Sequence, residues 1–187
     1  MMEKPIIKPT QGIILISEPS LYDFYFRQSV ILLAEHNQEG SFGIIINKPI
    51  ETRLNEILRD FPEFDAPLFL GGPVKTDSIF YIHTIDGIEK SMKIMDGLYW
   101  GGDIEAIRNL IDLRHITEKD IRFFIGYAGW NPAQLDKEIN EKSWILSRTN
   151  VDEIIRRNTS KLWSTHLKSM GKDYAIWANL PADPSFN

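Results

Sequence analysis

Three glycine-bracketed junctions constrain this chain more than any other feature. They are Gly71-Gly72-Pro73-Val74, Gly97-Leu98-Tyr99-Trp100-Gly101-Gly102-Asp103 and Gly126-Tyr127-Ala128-Gly129-Trp130-Asn131-Pro132. Each follows an apolar run that reads as a strand. Glycine at such points allows a turn with positive φ or the close approach of a second backbone. Junctions of this kind fix a fold, and they can also line a cleft.

The runs around them set the fold class. Residues 29–36 and 41–47 are apolar, with the polar loop 37–40 between them, which is a β-hairpin signal. Both runs are continuous rather than alternating, so both strand faces should be covered. Leu54, Ile57, Leu58 and Phe61 recur at helical spacing, with Thr52 as the candidate cap and Pro62 beyond the end. Asp103 should cap a second helix carrying Ile104, Ile107, Leu110 and Ile111. Asn131, Pro132 and Gln134 form a near-complete capping box for a third. A strand over 121–125 should end at Gly126, and residues 154–170 should form a last helix stopped by Gly171. Strands dominate the first two-thirds and helices the last third, which favours an α+β fold over regular βαβ alternation.

Composition narrows the function. A length of 187 residues suits one domain, here 1–187, with 178–187 as a tail lying on the surface because its prolines cannot continue a helix or central strand. There is no cysteine, which rules out disulfides, thiolate zinc sites and thiol catalysis. The apolar run near the N-terminus is too short for a signal or a membrane span, so a cytoplasmic location without membrane contact is expected. The net charge of -5 points to no strongly charged partner. Arg156, Arg157, Lys161, Lys168 and Lys172 form a local basic stretch without an acid among residues 154–172. It reads first as a solvated helix face and second as a nucleic-acid or phosphate patch.

Candidate chemistry is sparse. His36, His83, His115 and His166 are scattered, with no HxH or HExxH spacing, so no metal is expected from local motifs. A His36, His83, Asp103 site would need the fold to assemble it. No nucleophile elbow, phosphate loop or dinucleotide fingerprint occurs, and no cofactor is expected. Trp100 and Trp130 share a pattern of strand, glycine, tryptophan and capped helix. Aromatics with a polar N–H serve both cores and binding sites. They are the best candidates for pocket walls, with His36 and Asn47 as polar contacts and Gly71 and Gly72 at the same strand ends.

Taken in order, these motifs resemble a known family. Residues 29–37, Gly43 to Pro49, Gly71-Gly72-Pro73-Val74, the segment from Gly97 to Asp103, that from Arg122 to Trp130, then Gln134, Leu135, Glu138 and Trp144, are similar to the AlgH/YqgE family. The likeness spans roughly positions 12–180. It implies membership of a bacterial, cytoplasmic, largely uncharacterised group. It also implies a coiled, barrel-like, largely antiparallel sheet with helices packed around it. Members carry the label of transcriptional regulators, but the resemblance supplies no catalytic residues. No helix-turn-helix with a basic recognition helix is visible here, so specific DNA binding is not expected. The leading expectation is a binding or indirect regulatory module that meets a small molecule or a protein. The alternatives are a hydrolase or metal enzyme using His36, His83 and Asp103, and a nucleic-acid binder acting through 154–172.

Overall fold

The continuous apolar runs become strands because each of their faces meets its own core. In β2 (Val30–Asn37), Val30, Leu32 and Ala34 join one buried cluster with Ile14 and Ile16 of β1 (Ile14–Ser17) and Ile44 of β3 (Gly40–Ile45). Ile31 and Leu33 face the other way, with Leu15, Ile45 and Trp144. The alternation is hidden in the sequence because both faces are apolar. The structure is a computed structural model that describes residues 7–156 and 158–179, with the backbone alone for Arg156.

The remaining strands are β4 (Pro49–Arg53), β5 (Pro67–Leu70), β6 (Val74–His83), β7 (Met92–Met95), β8 (Leu98–Trp100), β9 (Ile121–Trp130) and β10 (Trp144–Ser147). They form one sheet in the order β10-β1-β2-β3-β9-β6-β8-β7, and β5 and β4 branch from β9. Every pairing is antiparallel except β5 with β9. With helices α1 (Leu54–Ile57), α2 (Ile104–Asp112), α3 (Gln134–Asn140), α4 (Leu162–Ser169) and α5 (Lys172–Trp177), the fold is α+β. The sheet does not close into a barrel, since β10 and β7 end its path.

Strand β9 is the axis, and here the structure departs from expectation. The strand does not stop at Gly126; it bends there at φ 68 and runs on to Trp130. Before the bend one edge of β9 pairs with β5, Leu68 to Leu70 against Phe123 to Ile125; beyond it β3 takes over, Ser41 to Gly43 against Ala128 to Trp130. Gly71 and Gly72 lie against the bend. A Cβ on Gly72 would meet the Tyr127 carbonyl carbon at 2.2 Å. These glycines therefore serve the branching of the sheet.

Two helices are shorter than their periodicity predicts. α1 ends at Ile57, and Ile57 is 43% exposed. Asn55 donates to the carbonyls of Phe61 and Pro62 and accepts from the Phe64 N–H, which fastens a loop in place of further helix. That loop delivers Phe61 and Phe64 to the cluster holding Leu54, Ile107 and Phe123. The predicted helix over 154–170 is split into a π-helical turn, Asp152–Arg156, and α4. Buried Arg122 explains part of the break. It donates to the Ile155 carbonyl and the Thr159 hydroxyl, and its guanidinium stacks 4.5 Å from the Phe69 ring centroid. Burial pulls its pKa down to about 10. Among the described residues no helix is long and apolar enough to cross a membrane.

Candidate functional site

Four adjacent strands, β3, β9, β6 and β8, each contribute one aromatic side chain to a common patch. Phe42, Tyr127, Phe80 and Trp100 close a ring of contacts, with centroids 6.2 Å apart for Phe42–Tyr127, 5.3 Å for Tyr127–Phe80, 5.7 Å for Phe80–Trp100 and 5.2 Å for Trp100–Phe42. Three of the four contacts are edge-to-face, the favourable geometry for ring quadrupoles. All four rings are half-buried, whereas Phe123 and Phe124 in neighbouring β9 are fully buried.

A cavity of about 610 Å³ opens over this patch. Besides the four rings it is bordered by Ser41, Val74, Lys75, Gly129, Trp130 and Asn131. The volume falls in the range of small-molecule sites, and apolar walls with a few polar groups are their usual make-up. The mouth is shaped by an irregularity in β6. Val74 pairs with Tyr127 and Ile79 with Ile125, so residues 75–78 bulge out of the ladder, with Lys75 in the left-handed region at φ 51. A larger groove of about 1130 Å³ runs along β10.

The expected site residues separate into groups. Trp100 and Trp130 border the same cavity, but from different cores: Trp100 packs on the cluster of Ile82 and Phe124, and Trp130 belongs to that of Leu135 and Trp144. The Trp130 N–H donates to Glu138 Oε2 at 2.8 Å, as does the Trp144 N–H, also at 2.8 Å. His36 reaches the rim indirectly. Its Nδ1 lies 2.7 Å from the Ser41 hydroxyl, directly across the hairpin, and its Nε2 lies 3.7 Å from Asp136 of α3. By strand alternation this trio stands on the Trp130 face, opposite Phe42. Asn47 is elsewhere: its amide accepts from the Val30 N–H and donates to the Gln28 carbonyl, tying β3 to the start of β2. Gly71 and Gly72 lie at the β9 bend and not at the cavity.

The caps also differ from each other. Asp103 is the N-cap of α2 and accepts from the Glu105 N–H at 3.0 Å. At α3 only half of the box forms. Gln134 Oε1 accepts from the Asn131 N–H, but the helix starts at Gln134 with Ala133 as N-cap at φ 59, which leaves the Asn131 amide at the cavity. His83 is fully buried; its Nε2 hydrogen-bonds the Gly101 carbonyl and its Nδ1 accepts from the Ile85 N–H. Burial lowers its pKa. Both ring nitrogens are thus engaged, and no metal-binding group of three His, Asp or Glu side chains forms among the described residues, so His36, His83 and Asp103 are not assembled into one.

Of the basic stretch, Lys161, Lys168 and Lys172 are exposed, while the Arg156 side chain and Arg157 lie outside the described residues. Residues 180–187 of the expected tail lie outside them too. Trp163, the one aromatic in that stretch, is buried and donates to the Ser17 carbonyl. It offers no stacking face to a nucleic acid.

The chain matches the AlgH-like family model over residues 14–175. It belongs to that family. A relative named as a UPF0301 protein in Bacteroides fragilis is 42% identical over 182 residues, 97% of this chain and 93% of that one. Another, in Cytophaga hutchinsonii, is 42% identical over 180 residues, 95% and 99% of the two chains. Among solved structures, the AlgH protein of Pseudomonas aeruginosa superposes with a TM-score of 0.71 at 23% identity, covering 96% of this chain and 98% of that one. A Corynebacterium diphtheriae protein does so with a TM-score of 0.77 at 20% identity, covering 96% and 95%. These two likenesses establish the AlgH-like fold.

The cavity residues that the sequence did not single out are Phe42, Phe80, Tyr127, Ser41 and Lys75. A signal for two of them exists: Phe42 and Tyr127 each sit beside a glycine in an apolar strand, where an aromatic has less to pack against, whereas Phe80, between Ile79 and Tyr81, carries no such mark.

Proposed function

We propose that this AlgH-like chain is a cytoplasmic binding module whose ligand site is the aromatic cavity over β3, β9, β6 and β8, and that any regulatory role it has runs through that ligand. One observation carries the reading: four half-buried aromatic rings from four strands converge on a cavity of about 610 Å³ instead of being covered by a helix. Leaving such an apolar patch open to water forgoes about 25 cal/mol of burial for each Å². A bound ligand restores that burial. The buried Trp163 argues against the alternative of a nucleic-acid surface along residues 154–172. The backbone bonds of His83 argue against a His36, His83, Asp103 enzyme.

The test is a ligand-observed NMR screen of small aromatic metabolites against the purified protein and its Trp100→Ala variant. Hits that lose binding in Trp100→Ala support the site. Hits that bind both proteins equally place the ligand elsewhere and refute it.

A further inference from the structure

We infer that the aromatic cavity takes a nucleotide, with the planar base against the rings of Trp100, Phe42 and Tyr127 and the phosphate at the Lys75 ammonium. The inference rests on the cavity being a ligand site and adds the chemistry of the ligand.

Three observations converge on it. The walls are ring faces and edges on an open sheet, and base–aromatic stacking contributes to binding for every base because each has a π-face. Among the described residues the only cation bordering the cavity is Lys75, and it makes no ion pair or hydrogen bond with any of them. Its backbone sits in the left-handed region at φ 51, a conformation unfavourable for a non-glycine residue and found repeatedly at functional sites. Asn131 also borders the cavity, and its side-chain amide has no partner among the described residues. Its donor and acceptor together match the paired donor and acceptor on a base edge. Asp77, on the same bulge, is hydrogen-bonded by Ser78 and does not border the cavity. A ring system, an edge reader and a single cation together describe a base joined to a phosphate. The net charge of -5 argues against a long polyanion, so the phosphate count is small.

The ligand could be a free mononucleotide or the end of a single strand, and the experiment separates them. Adenosine monophosphate, adenosine, indole and a short single-stranded oligothymidylate are titrated into wild type, Lys75→Gln and Trp100→Ala, read by calorimetry and by chemical shifts of the Tyr127 and Gly129 amides. Lys75 is exposed and Trp100 half-buried, so thermal melts serve as the folding control. The expected result is that adenosine monophosphate shifts both amides, that Lys75→Gln weakens it about tenfold while leaving adenosine unchanged, and that Trp100→Ala weakens both by about 5- to 150-fold. Binding of the monophosphate points to the free nucleotide. Binding of the oligonucleotide alone points to a strand end, and both support the inference. Equal affinity for adenosine and its monophosphate, insensitive to Lys75→Gln, overturns it while leaving a ligand cavity in place. Binding of indole without either nucleoside or nucleotide does the same. Binding of none of these probes overturns the inference, and a silent metabolite screen alongside it removes the ligand cavity too.

Discussion

The Gly71 and Gly126 backbones touch so closely that a Cβ on Gly71 would lie 2.1 Å from the Gly126 carbonyl oxygen. This contact holds the point where β5 leaves β9 and β3 replaces it. Neither partner is a side chain that could swing away. Gly71→Ala should therefore destabilise by at least about 3 kcal/mol or prevent folding. Gly101 also has a positive φ, 59, but nothing lies within 4 Å of its would-be Cβ. Gly101→Ala should cost only the left-handed conformation, about 1–2 kcal/mol. Chemical denaturation of the two variants checks the contrast, and equal losses would show that crowding at Gly71 is relieved by backbone movement.

Leu54 and Ile57 lie on the same apparent apolar stripe, yet Leu54 is fully buried and Ile57 is 43% exposed. Leu54→Ala should cost about 2–5 kcal/mol, and Ile57→Ala less than about 1 kcal/mol. A loss at Ile57 as large as at Leu54 would mean that the helix extends and buries that face.

That pair shows where the sequence was legible and where it was not. Most strand positions, the Asp103 cap and the α+β class follow from local rules: apolar runs, turn residues and capping chemistry; β4 does not, since Thr52, read as the cap of the helix at Leu54, lies in that strand and Arg53 takes the N-cap position. Helix length near Leu54 does not, because the Asn55 side chain captures loop backbone groups seven and nine positions away, and periodicity carries no trace of that. Gly126 misled for a related reason. A glycine after an apolar run normally signals a strand end, but here the partner strands change while the strand continues. The candidate site was half legible. Trp100 and Trp130 do border one cavity, but Phe42, Phe80 and Tyr127 become neighbours only through the order β3-β9-β6-β8, a non-local property of the sheet.

Glu138 fastens α3 to the sheet by accepting both indole N–H groups on one oxygen, and its other oxygen accepts from Gln134. Glu138→Leu leaves two partly buried donors without an acceptor, at a cost of about 2–4 kcal/mol. Glu138→Gln keeps one carbonyl oxygen and should cost clearly less. Urea melts of the two variants measure the difference, and equal destabilisation would assign the loss to packing rather than to the indole bonds.

Lys48 gives the stability a pH dependence of known sign. Its ammonium donates to the Tyr25 carbonyl at 2.6 Å, and burial, then the nearby Arg27 charge, lowers its pKa from 10.5 to about 8. A lysine with a lowered folded-state pKa opposes folding while it must stay charged. Between about pH 8 and 10.5 the unfolded chain binds more protons than the folded one, so this contribution to stability rises with pH. Relative to Lys48→Met, wild type should gain on the order of 1–2 kcal/mol across that window after allowance for solvent screening. Parallel stability–pH curves for the two proteins would show that Lys48 keeps its solvent-like pKa in the fold.

Trp100 and Trp130, alike in sequence context, should behave oppositely on substitution. Trp130 is 6% exposed, stacks near Phe26, meets Trp144 edge-on and donates to Glu138. Trp130→Ala removes a buried indole and strands part of the Glu138 carboxylate, which should cost about 3–5 kcal/mol. Trp100 is half-buried on the cavity wall and makes no hydrogen bond through its indole among the described residues. Trp100→Ala should cost no more than about 2 kcal/mol, because part of its surface already faces water. Its effect should fall on ligand binding instead. Acrylamide quenching gives an independent reading, since the quencher needs access to the ring. Trp100→Phe should reduce the quenchable fraction of the fluorescence, and Trp130→Phe should leave it nearly unchanged. The reverse pattern would mean that the cavity wall is closed at Trp100 and open at Trp130, and the site would have to be redrawn on the α3 face of the sheet.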